Sequence, residues 1–552
     1  MSVSLPRVRL YPDILHPVLG YSESLMFVSY LARFGDRISS SGCTVAVLAA
    51  VLAAGGTHAL PGDHDLTYSA DGRSSILMGT FAGGRISTTR SVLTADQKLI
   101  IAGECTTGGN TTFCLTRFNT DGSQDATFGA GGLASGPSAQ LNLTNVTGLA
   151  IDPRNQALVV GGECKPLGAA NKTFCVARFA QNGAFDISYG APGGSGTSFA
   201  FGDARIGRLR VAADGKIRLG AGCPRGPAAA NMDMCILALN ADGTPDLAFT
   251  GTSSHYLLIP QIATQRAESV ADLEYLADGR LFYVGPCKNV PTATVYSYVC
   301  YGSVNPDGTQ AAGRGSFYVT DYDDYPTQVL RGSDGTLLIA GYSEISSNLN
   351  NAEIFARINY SATTGYTMDT TFNPGGINPG RLTGMYVTSI HPGSLTFALS
   401  GNQEIYETVV THGPSGGAGP FVPKVILRHS DGSTRSTWGG TANAAYDTTY
   451  ENILLDDAGR VMLSGRSNYL STGGTINFGR LQNDSTAGFA CTMDIDGDGK
   501  VLATTDGVLL ARAMLGIRGT ALTVNAVGAG ATRTDAAAIT AFLVNRCRMK
   551  LS

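Results

Sequence analysis

A phrase of nine to eleven residues ending on glycine returns seven times along this 552-residue chain, at intervals of about sixty residues. It reads "ADQKLIIAG" (95–103), "PRNQALVVGG" (153–162), "ADGKIRLGAG" (213–222), "ADGRLFYVG" (277–285), "SDGTLLIAG" (333–341), "HPGSLTFALSG" (391–401) and "DAGRVMLSG" (457–465). A second phrase follows at a distance. It is clear in "FCLTRFNTDGSQDATFG" (113–129), "FCVARFAQNGAFDISYG" (174–190) and "MCILALNADGTPDLAFTG" (234–251), and worn around "VCYGSVNPDG" (299–308), "FARINYSATTGYTMDTTF" (355–372) and "VILRHSDGSTRSTWGG" (425–440). A unit this short cannot bury its own apolar face, so the copies have to stack on one another.

Within each copy, Asp-Gly and Asn-Gly steps bound short β-branched runs, because glycine supplies the positive φ of tight hairpin turns. Each copy therefore predicts turn, strand, hairpin, strand, turn and a short outer strand. Runs such as "LIIAG" and "ALVVGG" are apolar on both faces, as strands are when sheet packs on sheet. Seven radially stacked four-stranded sheets satisfy both patterns, which gives a mainly β fold, a seven-bladed β-propeller over residues 60–488. An open solenoid of seven units is the alternative. The 71 Gly and only 15% charged residues suit either turn-rich form. After "INFGRLQND" (476–484) the seventh copy lacks the ending D-x-x-aromatic, whereas "DHDLTYSADG" (63–72) carries one ahead of the first copy, with Asp65 and Tyr68 in the places of Asp125 and Phe128. The N-terminal stretch is expected to supply the outer strand of the last blade and so remove two exposed edges. These phrases resemble the bacterial delta-60 repeat family over about residues 62–484. The resemblance implies an extracytoplasmic β-propeller-like repeat without an assigned catalytic activity.

Four copies place cysteine on both sides of the central hairpin: Cys105 with Cys114, Cys164 with Cys175, Cys223 with Cys235 and Cys287 with Cys300. The loop between them drifts from eight to twelve residues while the flanking phrases hold position, so each pair is anchored to paired strands. This is a disulfide pattern, and it needs an oxidising compartment. No CxxC pair occurs and the seven His are scattered, which sets zinc aside. Blades five to seven lack the staple, and their hairpins at 346–353 and 411–423 are expected to form a mobile rim. Cys491 and Cys547 bracket the tail and are expected to pair.

Residues 1–59 read as a leader with an upstream extension. "CTVAVLAAVLAA" (Cys43–Ala54), preceded by Arg33 and Arg37 and followed by "GGTHA", has the pattern of a secretory signal ending near Ala59. The run is too short for a bilayer, which takes about 20 residues; a buried core helix is the other reading. The net charge of −4 and the pI near 6.0 come with no basic stripe, which excludes electrostatic nucleic-acid binding.

In "DIDGDGKVLATTDG" (494–507), Asp494, Asp496 and Asp498 occupy alternate positions and Gly499 the sharp turn, the spacing of a loop whose oxygens converge on Ca²⁺. The Lys500 carbonyl is the next expected ligand and Asp506 the closing one, a residue later than in a standard EF-hand loop. A helix is expected after Thr505, with a stripe of Leu509, Leu510, Ala513, Met514 and Ile517. A loop followed by a helix resembles the dockerin type of calcium module, and "TDAAAITAFLVN" (534–545) echoes "TDGVLLARAML" after a loop without acids. The resemblance covers about residues 491–547, within a domain placed at 489–552. It implies a small α-helical EF-hand-like domain with one Ca²⁺, docking to a cohesin-like partner, and in some bacteria a role in polysaccharide breakdown.

No H-E-x-x-H, no G-x-S-x-G and no phosphate-binding loop between strand and helix is present. The best catalytic-looking cluster is "YVTDYDDYP" (318–326), with Asp321, Asp323 and Asp324 among Tyr318, Tyr322 and Tyr325. Paired carboxylates beside aromatic rings suit glycoside hydrolysis or a sugar or cation site, and equally a solvated loop. Two functions follow. The first is a secreted non-catalytic repeat protein that binds a surface ligand such as a cell-surface polysaccharide, attached through its calcium-binding tail. The alternative is a glycan-hydrolysing propeller tethered by that tail. The missing catalytic motifs favour the first.

Overall fold

The computed structural model describes residues 64–543 apart from several inter-strand loops and the stretch 483–493. The expected leader, Cys491, Cys547, the turn glycine Gly499 and most of the two rim hairpins lie outside the described residues.

Seven antiparallel sheets follow one another along the chain. In blade 1, Arg90–Leu93 pairs with Leu99–Thr107, which pairs with Asn110–Phe118, which pairs with Leu133–Ser135. The first repeated phrase supplies the second strand in six blades, and the second phrase the third strand with the turn after it. In blade 6 the copy at 391–401 instead contains the innermost strand, Thr396–Leu399, and the second strand is Ile405–His412, because the hairpin turn falls at Ser400–Glu404, one strand later than the phrase places it. The innermost strands of blades 2 to 7 are Leu141–Ile151, Arg205–Val211, Asp272–Tyr275, Asp323–Arg331, Thr396–Leu399 and Thr448–Leu455. In blade 7 the outer strand is Arg73–Leu77, paired with Thr475–Leu481 from Arg73↔Gly479 to Leu77↔Thr475. The chain's start thus closes its last blade, and the ring is a propeller rather than an open solenoid. Two sheets hold a fifth strand: Gln265–Arg266 in blade 4 and, in blade 5, Arg381–Thr388, which shares the outer edge of Asn350–Ser361 with Gly365–Met368.

The two-faced apolar runs have the use their pattern implies. Leu99 and Ile101 share a core with Met462, Ile476 and Phe478 of blade 7, while Ile100 between them shares one with Val146, Leu158 and Val160 of blade 2. Every junction between blades holds such a core, including the one that joins blade 7 to blade 1. Each large side chain fully buried there contributes about 1.5–3 kcal/mol.

The second phrase also builds an ionic bolt. Arg117 donates from Nε to Asp125 Oδ2 at 2.8 Å, lies 4.8 Å from the Phe128 ring centre, and donates from Nη1 to the Gln181 carbonyl of the next blade's turn at 2.8 Å. Arg178, Asp186 and Tyr189 repeat the arrangement and reach Ala241; Arg480, Asp65 and Tyr68 reach Thr120; Arg357, Asp369 and Phe372 reach Ser430. In blade 3 the arginine comes from the adjacent strand, Arg218 meeting Asp246 at 2.7 Å over Phe249. Burial alone would raise these carboxyl groups. Hydrogen bonds from hydroxyls, backbone and basic side chains, together with the guanidinium charges, overcome it, so Asp65, Asp125, Asp186, Asp246 and Asp369 all sit below the usual aspartate value.

All four hairpin disulfides form, with Cα–Cα distances of 5.8 to 6.0 Å, and they are consistent with an oxidising compartment. At the C-terminal end, helices Asp506–Met514, Thr520–Thr523 and Ala536–Ala541 share a small core of Ile495, Leu509, Ala513, Leu522, Ile539 and Leu543. The first is the helix expected after Thr505. Met514, placed on its apolar stripe, is instead exposed, because the helix ends there. Among the described residues, no helix is long and apolar enough to cross a membrane.

Candidate active site on the propeller axis

The innermost strands do not run straight. In blade 2 the register steps from Val146↔Gly162 to Gly148↔Gly161, so Thr147 has no partner opposite. Blade 5 steps from Pro326↔Gly341 to Gln328↔Ala340 and leaves Thr327; blade 7 steps from Tyr450↔Gly465 to Asn452↔Ser464 and leaves Glu451. Blade 3 slips between Ile206 and Leu209, around Gly207 and Arg208. A bulge bends its strand and re-aims the extra side chain. The glycine near the end of the repeated phrase allows the bend. A Cβ on Gly341 would lie 2.1 Å from the Tyr325 carbonyl oxygen, and one on Gly162 would lie 2.1 Å from that of Asn145.

The re-aimed residues meet on the axis. Thr147, Arg208, Thr327 and Glu451 line a cavity of about 290 Å³ together with Arg90 and Asn145. A second cavity, of about 280 Å³, shares Arg90, Thr147 and Arg208 with the first and is walled by apolar side chains such as Leu149, Leu330 and Phe397. Arg90, Thr147 and Arg208 thus stand at the waist between the two chambers. Arg90 donates to the carbonyls of Thr147 at 2.9 Å and Thr89 at 2.8 Å. The Glu451 carboxylate accepts from the backbone and hydroxyl of Thr89 at 2.7 and 2.8 Å. Fully buried Asp272 accepts from Leu273 and Val329 backbone and from Arg210. Glu274 is raised above the usual glutamate value by burial and by Asp272, against the pull of Arg210.

The sequence-selected cluster sits at one end of this channel. Antiparallel pairing sets the start of each innermost strand beside the hairpin end of the next, as in Asp323↔Glu344. Asp323 begins its strand three residues ahead of Pro326, which lines the first chamber. Its Oδ1 accepts from the Ser297 backbone at 2.6 Å and lies 3.3 Å from the Lys288 ammonium. Asp321 is exposed. Asp324 is not available for chemistry. It is fully buried, Oδ2 accepts from the backbones of Val319 and Thr320, Oδ1 takes the Thr320 hydroxyl, and burial raises it above the usual value despite these bonds. Around these acids Tyr296, Tyr318 and Tyr322 are 48%, 47% and 39% exposed. Tyr322 lies 5.8 Å from Tyr296 and Tyr318 lies 6.3 Å from Tyr298, ring centre to ring centre, while Tyr325 is stacked against Tyr342.

The acidic loop of the tail is partly gathered. Single oxygens of Asp494, Asp496 and Asp506 lie within 4.8 Å of one another. Asp506 accepts from the backbones of Ile495, Asp496 and Leu502; burial would raise it, but these bonds hold it below the usual value. Asp498 stands outside the trio, its Oδ1 taken by the backbone N–H of Lys500 at 2.8 Å. The acid-free loop of the second half contacts the first half directly. Gly528 donates to Asp496 Oδ2 at 2.6 Å, and Arg533 donates to the carbonyls of Asp494 and Ile495 at 2.6 and 2.7 Å.

A family model described as a beta-propeller domain of unknown function, DUF5122, matches residues 94–128, which run from the start of the first repeated phrase to Phe128 of the first bolt. No curated protein matches the chain. Among solved structures it is similar to an α-L-arabinanase of Penicillium chrysogenum complexed with arabinobiose (12% identity, 75% of this chain and 98% of that one, TM-score 0.41). It is also similar to the polysaccharide lyase Uly1 (11%, 71% and 89%, 0.40) and to an α-L-arabinofuranosidase of Fusarium graminearum (12%, 74% and 97%, 0.39). The expectation of a non-catalytic repeat protein that binds a surface ligand finds no counterpart among these structures, which are named as a polysaccharide lyase, an arabinanase and an arabinofuranosidase.

Proposed function

We propose that the chain is a polysaccharide-active propeller enzyme that takes its substrate across the hairpin face. Exposed Tyr296, Tyr318 and Tyr322 beside Asp321 and Asp323, at the head of an innermost strand, carry this reading. Sugar rings offer C–H faces that stack on aromatic rings, while carboxylates bond hydroxyls or transfer protons to the glycosidic oxygen. We assign Asp323 and Asp321 as the reacting pair. The four disulfides and the expected leader support action outside the cytoplasm.

The tail is proposed as a dockerin-like attachment module to a cohesin-like partner. Asp494, Asp496 and Asp506 would hold one Ca²⁺, with Asp498 and the Lys500 carbonyl closing in to complete it. The clustering of three carboxylates fits a hard divalent cation, which would neutralise their mutual repulsion.

The test is release of new reducing ends from a panel of polysaccharides by the purified chain. Asp323→Asn keeps an acceptor for the Ser297 backbone and is expected to lose cleavage at least about a hundredfold, the scale of one acid–base group, while still binding substrate. Equal cleavage by the variant, or none by the wild type on any polysaccharide tried, would sink the proposal.

A further inference from the structure

We propose that the waist of the axial channel is an anion-binding subsite built on Arg208, and that it selects a polysaccharide bearing acidic groups. This rests on the polysaccharide reading above and narrows its substrate class. Three independent observations converge. The first is position: bulges in four innermost strands deliver Thr147, Arg208, Thr327 and Glu451 to the first chamber, and bulges are common where a side chain is re-aimed for function.

The second is how loosely Arg208 is held. Among the described residues its side chain reaches the Thr327 carbonyl at 3.4 Å, Gln328 Oε1 at 3.3 Å and Asp272 only at 3.9 Å. The bolt arginines instead meet their aspartates at 2.6 to 2.8 Å. A guanidinium carries five N–H donors in a fork that matches an oxyanion pairwise. Arg208 has donors to spare, and its side chain keeps 22% of its surface exposed while lining both chambers.

The third is charge. The acids near Arg208 are already occupied: Asp272 by Arg210 and two backbone N–H groups, and Glu451 Oε2 by Thr89. Desolvation draws the Arg208 pKa down to about 10, with Arg90 and Arg210 adding repulsion against the attraction of Asp272. An anion entering the waist relieves that repulsion and takes up the spare donors. The two chambers, about 290 and 280 Å³, are together in the range of small-molecule sites, about 300–1,000 Å³. The matching groups on a glycan are the carboxylate of a uronic acid and a sulfate ester.

The experiment is calorimetric titration of the purified chain with three oligosaccharides of equal length: a uronate, a sulfated and a neutral one. At least one acidic ligand is expected to bind about tenfold or more tightly than the neutral one, the scale of a buried charge-assisted contact. Which of the two does so identifies the anion. Arg208→Gln is expected to abolish the difference and leave neutral binding unchanged, and Arg208→Lys to restore part of it; circular dichroism of both variants checks the fold. Binding of the neutral ligand as tightly as the acidic ones, or an unchanged preference in a folded Arg208→Gln, overturns the subsite and leaves the polysaccharide reading standing. If none of the three binds, both fall.

Discussion

Arg117 and Arg208 are the same residue type in the same ring, yet one meets a carboxylate at 2.8 Å over an aromatic ring and the other, among the described residues, has no carboxylate nearer than 3.9 Å. The contrast extends to the surfaces they serve. On the turn face, the aspartates and aromatic rings of the repeated phrase are buried and ion-paired, as in Asp125 with Phe128 and Asp65 with Tyr68. On the hairpin face, Asp321 is exposed, and so are Tyr296, Tyr318 and Tyr322. Repetition explains the first set: a group that recurs in most blades solves a problem common to all blades, which is holding each to the next. Exposed residues that occur once are left to answer to something outside the ring.

Acid should separate the two faces most strongly. The lowered aspartates give stability that is fully present above their usual value of 3.8 and is lost as pH falls through their lower folded values. The propeller is therefore expected to unfold cooperatively only below about pH 4, with no loss between pH 5 and 8. A melting temperature that already declines from pH 7 to 5 would show that the bolts are not what acid breaks.

A single bolt is the next largest effect. Asp125→Ala leaves Arg117 and Lys98 without their shared carboxylate and should cost about 3–5 kcal/mol in chemical denaturation. Replacing Cys223 and Cys235 together by Ser should cost about 2–3 kcal/mol, since that bridge closes a loop of sequence separation 12. The smallest effect should come from the hairpin face. Tyr318→Ala and Tyr322→Ala are expected to change stability by no more than about 0.5 kcal/mol, while lowering polysaccharide affinity about tenfold, on the scale of a lost stacking contact. Stability losses in these variants like that of Asp125→Ala would erase the distinction between the faces.

Much of the scaffold was legible in the sequence. The seven phrases counted the blades, although the sixth fell one strand early in its own, the two-faced apolar runs marked the junction cores, the cysteine pairs the staples, and Asp65 with Tyr68 the closing of the last blade. Each is a local pattern whose meaning does not depend on what lies opposite. The exposed cluster at 318–326 was legible as a set of residue types, but which of its acids is free was not: Asp324 is adjacent to Asp323 in sequence, and only the packing of Val319 and Thr320 around it takes it out of play.

The axial site was not legible. Arg90, Thr147, Arg208, Thr327 and Glu451 look in sequence like ordinary polar residues in short strands. The repeat glycines were the available signal, marking where an inner strand crosses too closely for a side chain, yet they do not say which residue is re-aimed. The sequence by itself therefore determined the number of blades, their order and what joins each to the next, because those follow from periodicity and local turn chemistry. Tertiary structure alone decided which side chains share the axis, because a bulge is a property of register between two strands, and the channel exists only once seven strands from distant parts of the chain converge.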